Sequence, residues 1–97
     1  MSKSKLTVAD YLNDLTAPRR KQYNRVRKLV IKIAGADAIT QSISYGIIAF
    51  LYHGKPLIYF GSFKKHMSLF PPTTKFTEEE PLTDKQITTM IKSLLPK

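Results

Sequence analysis

Cysteine and tryptophan are absent from this chain, glycine occurs only four times, and seven acidic side chains stand against sixteen lysines and arginines. Each shortage excludes a class of protein. Without cysteine there is no disulfide scaffold, no thiolate metal cluster and no thiol nucleophile. The glycines, at positions 35, 46, 54 and 61, are too scattered for a phosphate-cradling loop. No apolar run approaches the roughly 20 residues that cross a bilayer. The opening MSKSKLTVADYL lacks the continuous apolar core of a secretory leader, so the expected location is the cytoplasm. What is present is 97 residues, 42% of them hydrophobic, which fits a single domain over 1–97 and is too apolar for disorder.

The shortage of acids leaves a formal charge of +9, and the excess is uneven. Seven of the sixteen basic residues fall between Arg19 and Lys32, with no acid between Asp14 and Asp37. The same stretch is helical by period. Tyr23, Val26, Leu29, Val30 and Ile33 recur at three- and four-residue steps and share a face. At about 100° per residue, Lys21, Arg25, Lys28 and Lys32 fall on the opposite face. Thr16 is placed to cap this helix, Pro18 suits its first turn and Gly35 its end. One reading of the row is a solvated face over a core-packing helix. The other is a contact surface for an anion, because a structural helix usually intersperses Glu among like charges that repel one another.

A shorter helix is expected over about 7–15, where Val8, Tyr11, Leu12 and Leu15 share a face and Thr7 caps. Three strands follow: Ile43 to His53, Leu57 to Phe63 and His66 to Phe70, read from their β-branched and aromatic content. His53-Gly54-Lys55-Pro56 reads as the first turn. Lys64-Lys65 marks a second, longer loop, since it lacks the Asn-Gly of a two-residue turn. Gly46 and Gly61 inside strand patterns suggest bulges or close approach of another segment. Pro71-Pro72 ends the meander, and Thr74–Thr77 fits a short edge strand. Thr83 and Gln86 have capping-box spacing before a last helix with Ile87, Met90, Ile91, Leu94 and Leu95 on one face. The expected fold is α+β: an antiparallel sheet of three to four strands, two N-terminal helices and one C-terminal helix, with the helices on one side. The first strand is apolar on both sides: Ile43, Tyr45, Ile47, Ala49 and Leu51 on one, Ile48, Phe50 and Tyr52 on the other. Its second side needs a covering helix, a ligand or a second copy.

Catalytic chemistry finds little to stand on. His53 and His66 are the only histidines, there is no Gly-x-Ser-x-Gly elbow, and their spacing makes no metal site. The run Glu78, Glu79, Glu80 with Asp84 offers a weak carboxylate site for a hard cation; acids meeting the dipole of the next helix explain it as well. Lys64, Lys65 and His66 beside Tyr45, Tyr59 and Phe63 suggest an anion pocket with an aromatic wall. Lysines that protect a turn and edge from aggregation are the alternative.

Ser44-Tyr45-Gly46, Ala49-Phe50, Tyr52, Gly54-Lys55-Pro56-Leu57, Tyr59-Phe60, Phe63-Lys64-Lys65-His66, Leu69 and Pro71 together resemble the signature of the YdhG-like family of small bacterial proteins. Tyr11-Leu12, Leu15 and Glu80-Pro81-Leu82 are similar to its flanking patterns. The resemblance implies an antiparallel α+β fold of the kind compared with frataxin and, for one branch, an intracellular iron-chaperone role. Iron is therefore the one cofactor it suggests, and it brings no settled catalytic motif. The family usually has Met-Pro where this chain has Ile47-Ile48, and a helix and Lys-rich turn after the third strand that are missing here, so the chain resembles a shortened member.

A hard ion wants oxygen ligands, and a protein of charge +9 repels cations at long range by the same field that draws anions. The expected function is thus a non-enzymatic binding protein, an iron chaperone by resemblance. The alternative is a module that holds a nucleic acid or an acidic protein through the helix at about 18–34.

Overall fold

The computed structural model describes residues 7–70 and 73–96. Its elements run α1 (Val8–Asn13), α2 (Ala17–Ala34), a 3-10 turn (Ala36–Ala38), β1 (Ile39–Ser44), β2 (Ile47–Tyr52), β3 (Lys55–Ser62), β4 (Met67–Phe70), β5 (Thr74–Phe76) and α3 (Asp84–Leu94). The helices start where side-chain oxygens can take up their free N–H groups. Thr7 accepts from the Asp10 N–H, Thr16 from the Arg19 N–H, and Thr83 and Gln86 form the reciprocal capping box. The corner between α1 and α2 is held by Arg20, whose Nη1 donates to the carbonyls of Leu12 and Leu15 at 3.3 and 2.7 Å. The Leu12 carbonyl also accepts from the Leu15 N–H at 3.1 Å, which closes the last turn.

The five strands form one antiparallel meander in the order β1-β2-β3-β4-β5, one or two strands more than expected. The difference lies in the segment read as a single strand from Ile43. The chain reverses at Tyr45-Gly46, with φ +55° and +76°, and Ser44 pairs with Ile47. Two positive φ values in a two-residue connection match the right-handed twist of the strands, and Gly46 enters that region without steric cost. Gly46 is therefore a turn residue and not a bulge. The reversal also puts Ile43 opposite Ile48, on the helix-covered side, so the expected grouping of Ile43 with Ile47 and Leu51 is overturned. His53-Gly54 repeats the device, with φ +50° and +82° between Tyr52 and Lys55. The bulge lies further on. Phe50 pairs with Ile58 and Leu51 with Pro56, leaving Leu57 extra, and this is where a proline lacking its N–H is tolerated in a ladder. Phe63–His66 forms the longer third loop, closed by the Phe63 N–H donating to the His66 carbonyl at 2.7 Å. Pro71 and Pro72, expected to end the meander, lie outside the described residues.

One side of the sheet carries the core. Ile48, Phe50, Ile58, Phe60, Met67, Leu69 and Phe76 face the helices and are buried with Tyr23, Val26 and Val30 of α2 and Ile87 and Ile91 of α3. The Tyr23 ring stacks on Phe50 at 5.8 Å and meets Phe60 edge-on at 5.5 Å. Such pairs add about 0.5–1.5 kcal/mol each beyond area burial. The Tyr23 hydroxyl donates to Gln41 Oε1, and burial pushes its phenol up to about 12, with the nearby Arg27 charge pulling the other way. On the other side of the sheet stand Leu51, Tyr59 and Phe70, only partly buried, and Lys75, exposed.

Tyr45 is the aromatic residue that the turn geometry does not favour: its φ is left-handed and its side chain is 89% exposed. Tyr45→Asn should raise stability by about 0.5–1 kcal/mol, because Asn-Gly is the preferred pair for such a turn. Gly46→Ala should cost about 1 kcal/mol. Thermal or urea melts of the two variants check both signs.

Candidate functional site

Two acidic residues pair with arginines of α2. Glu78 Oε2 accepts from Arg19 Nε at 3.0 Å, and Asp84 Oδ1 accepts from Arg25 Nη2 at 2.6 Å. The two pairs differ in weight. Asp84 is mostly exposed, so its pair is worth well under about 1 kcal/mol. Arg25 is fixed by more than charge, since it also donates to the Leu82 carbonyl at 2.8 Å and to Gln22 at 2.7 Å. Arg19 is the more enclosed guanidinium. Its Nη1 donates to Ser62 Oγ at 2.8 Å and to the Phe63 carbonyl at 2.5 Å. It thereby ties the start of α2 to the β3–β4 loop. Tyr11 reinforces that tie from α1, its hydroxyl accepting from the Ser62 N–H at 2.8 Å. The Glu78 carboxyl is held below its ordinary value by backbone hydrogen bonding at its own position and by the Arg19 hydrogen bond, against a smaller opposing effect of burial.

These pairs redistribute the basic row expected on α2. Arg25 is committed to α3, while Lys21, Lys28 and Lys32 stay exposed. Arg20, Lys21, Asn24, Arg25 and Lys28, with Ala17, line a groove of about 430 Å³ on this outer side. Of the carboxylates named as weak cation ligands, Glu78 and Asp84 are engaged by arginines, and Glu79 and Glu80 are exposed. Among the described residues no three His, Cys, Asp or Glu side chains converge as a metal site would need. His53 and His66 sit at opposite ends of β3, so they do not approach each other. No helix of the described residues is long and apolar enough to cross a membrane.

The second expected cluster is assembled in part. Tyr45 and Tyr59, ring centroids 6.1 Å apart, line an open depression of about 260 Å³ with Ile47 and Phe70. His66 joins through an intermediary: its ring lies 5.3 Å from that of Phe63, which meets Phe70 edge-on at 6.3 Å. Lys64 and Lys65 are exposed in the loop at the same end of the sheet as Tyr45. Phe63 stands in the wall as expected, beside Phe70, which was not among the expected site residues. The signal that would have found Phe70 is period two on the side opposite the core: Tyr59 and Phe70 are direct partners across β3 and β4. Phe63 leaves its mark at Gly61, where a Cβ would stand 2.6 Å from the Phe63 ring; this is the close approach that the strand glycine suggested.

A carboxyl with a depressed folded value stabilises the fold fully above its unfolded value and loses that contribution as pH falls through the folded one. Glu78→Gln should therefore lower the melting temperature at neutral pH and flatten its decline below about pH 4.5. Melts of the variant and the parent from pH 7 to pH 3 check this; parallel curves would show that Glu78 contributes nothing through its charge. No family model matches the chain, and neither a curated protein nor a solved structure is significantly similar to it.

Proposed function

We propose that the protein is a non-enzymatic binding module whose partner is a nucleic acid, held by its phosphates along the outer row of α2. The observation that carries this reading is the division among basic side chains. Arg19 and Arg25 are engaged by acids of the fold, whereas Lys21, Lys28 and Lys32 remain exposed, the first two of them lining a groove. Successive positions of that row, Arg25 included, are about 4–6 Å apart along the helix axis. A continuous row of cations suits a polymer charged on every monomer better than a folded partner with isolated acids. The charge of +9 adds long-range attraction for the same polymer.

The signature over residues 44–71 supports kinship with the YdhG-like family, and the antiparallel α+β architecture agrees with it. The iron delivery implied by that kinship needs carboxylates free to take a hard cation. Two of the four nominated acids are held by arginines, so the nucleic-acid reading is placed ahead of it.

Salt dependence tests the reading. Binding to a duplex should weaken with a log–log slope of about −2 to −3, as two to three phosphate contacts require. Lys21→Glu, Lys28→Glu and Lys32→Glu together should abolish binding at moderate salt while leaving the melt unchanged. Unaltered affinity in that variant would refute the assignment.

A further inference from the structure

The sheet side away from the helices holds a second arrangement, built from different residues. Tyr45, Tyr59, Phe63 and Phe70 form a run of rings with Tyr45 and Phe63 89% and 38% exposed. The helices and the core occupy the opposite side. The ring run is bordered by cations: Lys64 and Lys65 in the β3–β4 loop, and Lys75, which the register places on this same side opposite Ser68. Ser68 Oγ is buried with no hydrogen-bond partner among the described residues.

Tyr45 is the telling residue. It occupies a left-handed turn position that an aromatic side chain adopts at a steric cost, and it contributes almost nothing to burial. Folding alone favours Asn there. A ring kept at such a place, facing a second ring 6.1 Å away, is accounted for by what stacks on it. The choice of occupant follows from charge and from ring chemistry. A second copy would set Lys64, Lys65 and Lys75 of one chain against the same groups of the other. An anionic chain with flat aromatic faces satisfies both features: its bases stack on the rings and its phosphates meet the lysines.

We propose that this open sheet face is a stacking platform for unpaired bases of a single-stranded nucleic acid, with Tyr45, Tyr59 and Phe70 as the platform and Lys64, Lys65 and Lys75 as its phosphate contacts. The platform is independent of the α2 row, which lies across the sheet and reads phosphates alone. Paired bases are shielded from it, because their faces are already stacked within a duplex.

The test compares two labelled strands of about 12 nucleotides, a length within the range one small domain covers. One is oligodeoxythymidylate, and the other is the same backbone with every base removed. Fluorescence anisotropy should show the base-bearing strand bound about tenfold or more tighter than the abasic one. Tyr45→Asn, which should not weaken the fold, and Tyr59→Thr, which suits a strand, should each shrink that ratio. Together they should bring it to about one. The Lys21, Lys28 and Lys32 charge reversals should weaken both strands alike and leave the ratio intact, so failure of the α2 reading is told apart from failure of this one. The proposal is overturned by a ratio near one in the parent protein, or by a ratio that survives both ring substitutions. It is equally overturned if sedimentation shows a dimer that Tyr45→Asn and Tyr59→Thr dissolve, which would assign the face to a second copy.

Discussion

The packing of Tyr23 against Phe50 and Phe60 is the contact on which the rest of this molecule depends. One residue of α2 is wedged over β2 and β3, and its hydroxyl finds Gln41 on β1. That fixes the rotation of the helix about its own axis. Once Tyr23, Val26 and Val30 face inward, the lysines at 21, 28 and 32 must face outward, whatever they bind. The outer row is thus a geometric consequence of the core. The same wedge settles the fate of the other sheet face, since the helices gather on the side where Tyr23 already sits.

A two-layer domain of this size has one sheet face to spend on its core and one left to water. Water tolerates that second face when it is polar, as with Ser42 and Ser44 of β1. Toward β3 and β4 it changes to Tyr59 and Phe70. The change from hydroxyls to rings within a single face marks the boundary between a surface that merely ends the fold and one that can meet a ligand.

Much of this was legible in the chain. The helices declare themselves through Thr7, Thr16 and Thr83 and through apolar period, because capping and amphipathicity are local and act within a few residues. The first hairpin was hidden for an equally local reason. Tyr45-Gly46 lacks the Asn that announces a left-handed turn, and the apolar run from Ile43 continues across it. The polar β1, with Thr40, Gln41 and Ser42, offers no alternation of apolar residues to reveal a strand. Of the candidate sites, the α2 row was readable from spacing alone. The capture of Arg19 by Glu78 and of Arg25 by Asp84 was not, since each joins residues 59 apart through tertiary structure. Phe70 was missed because it joins Tyr59 only through the pairing of β3 with β4, which spacing along the chain does not reveal.

Arg19 has a further consequence. Its guanidinium stands at the head of the basic helix, yet it grips the carbonyl of Phe63, the residue whose ring lies along the opposite side of the sheet. Mutations that drift through this position are therefore felt twice, once in how α2 is seated and once in how the aromatic loop is held.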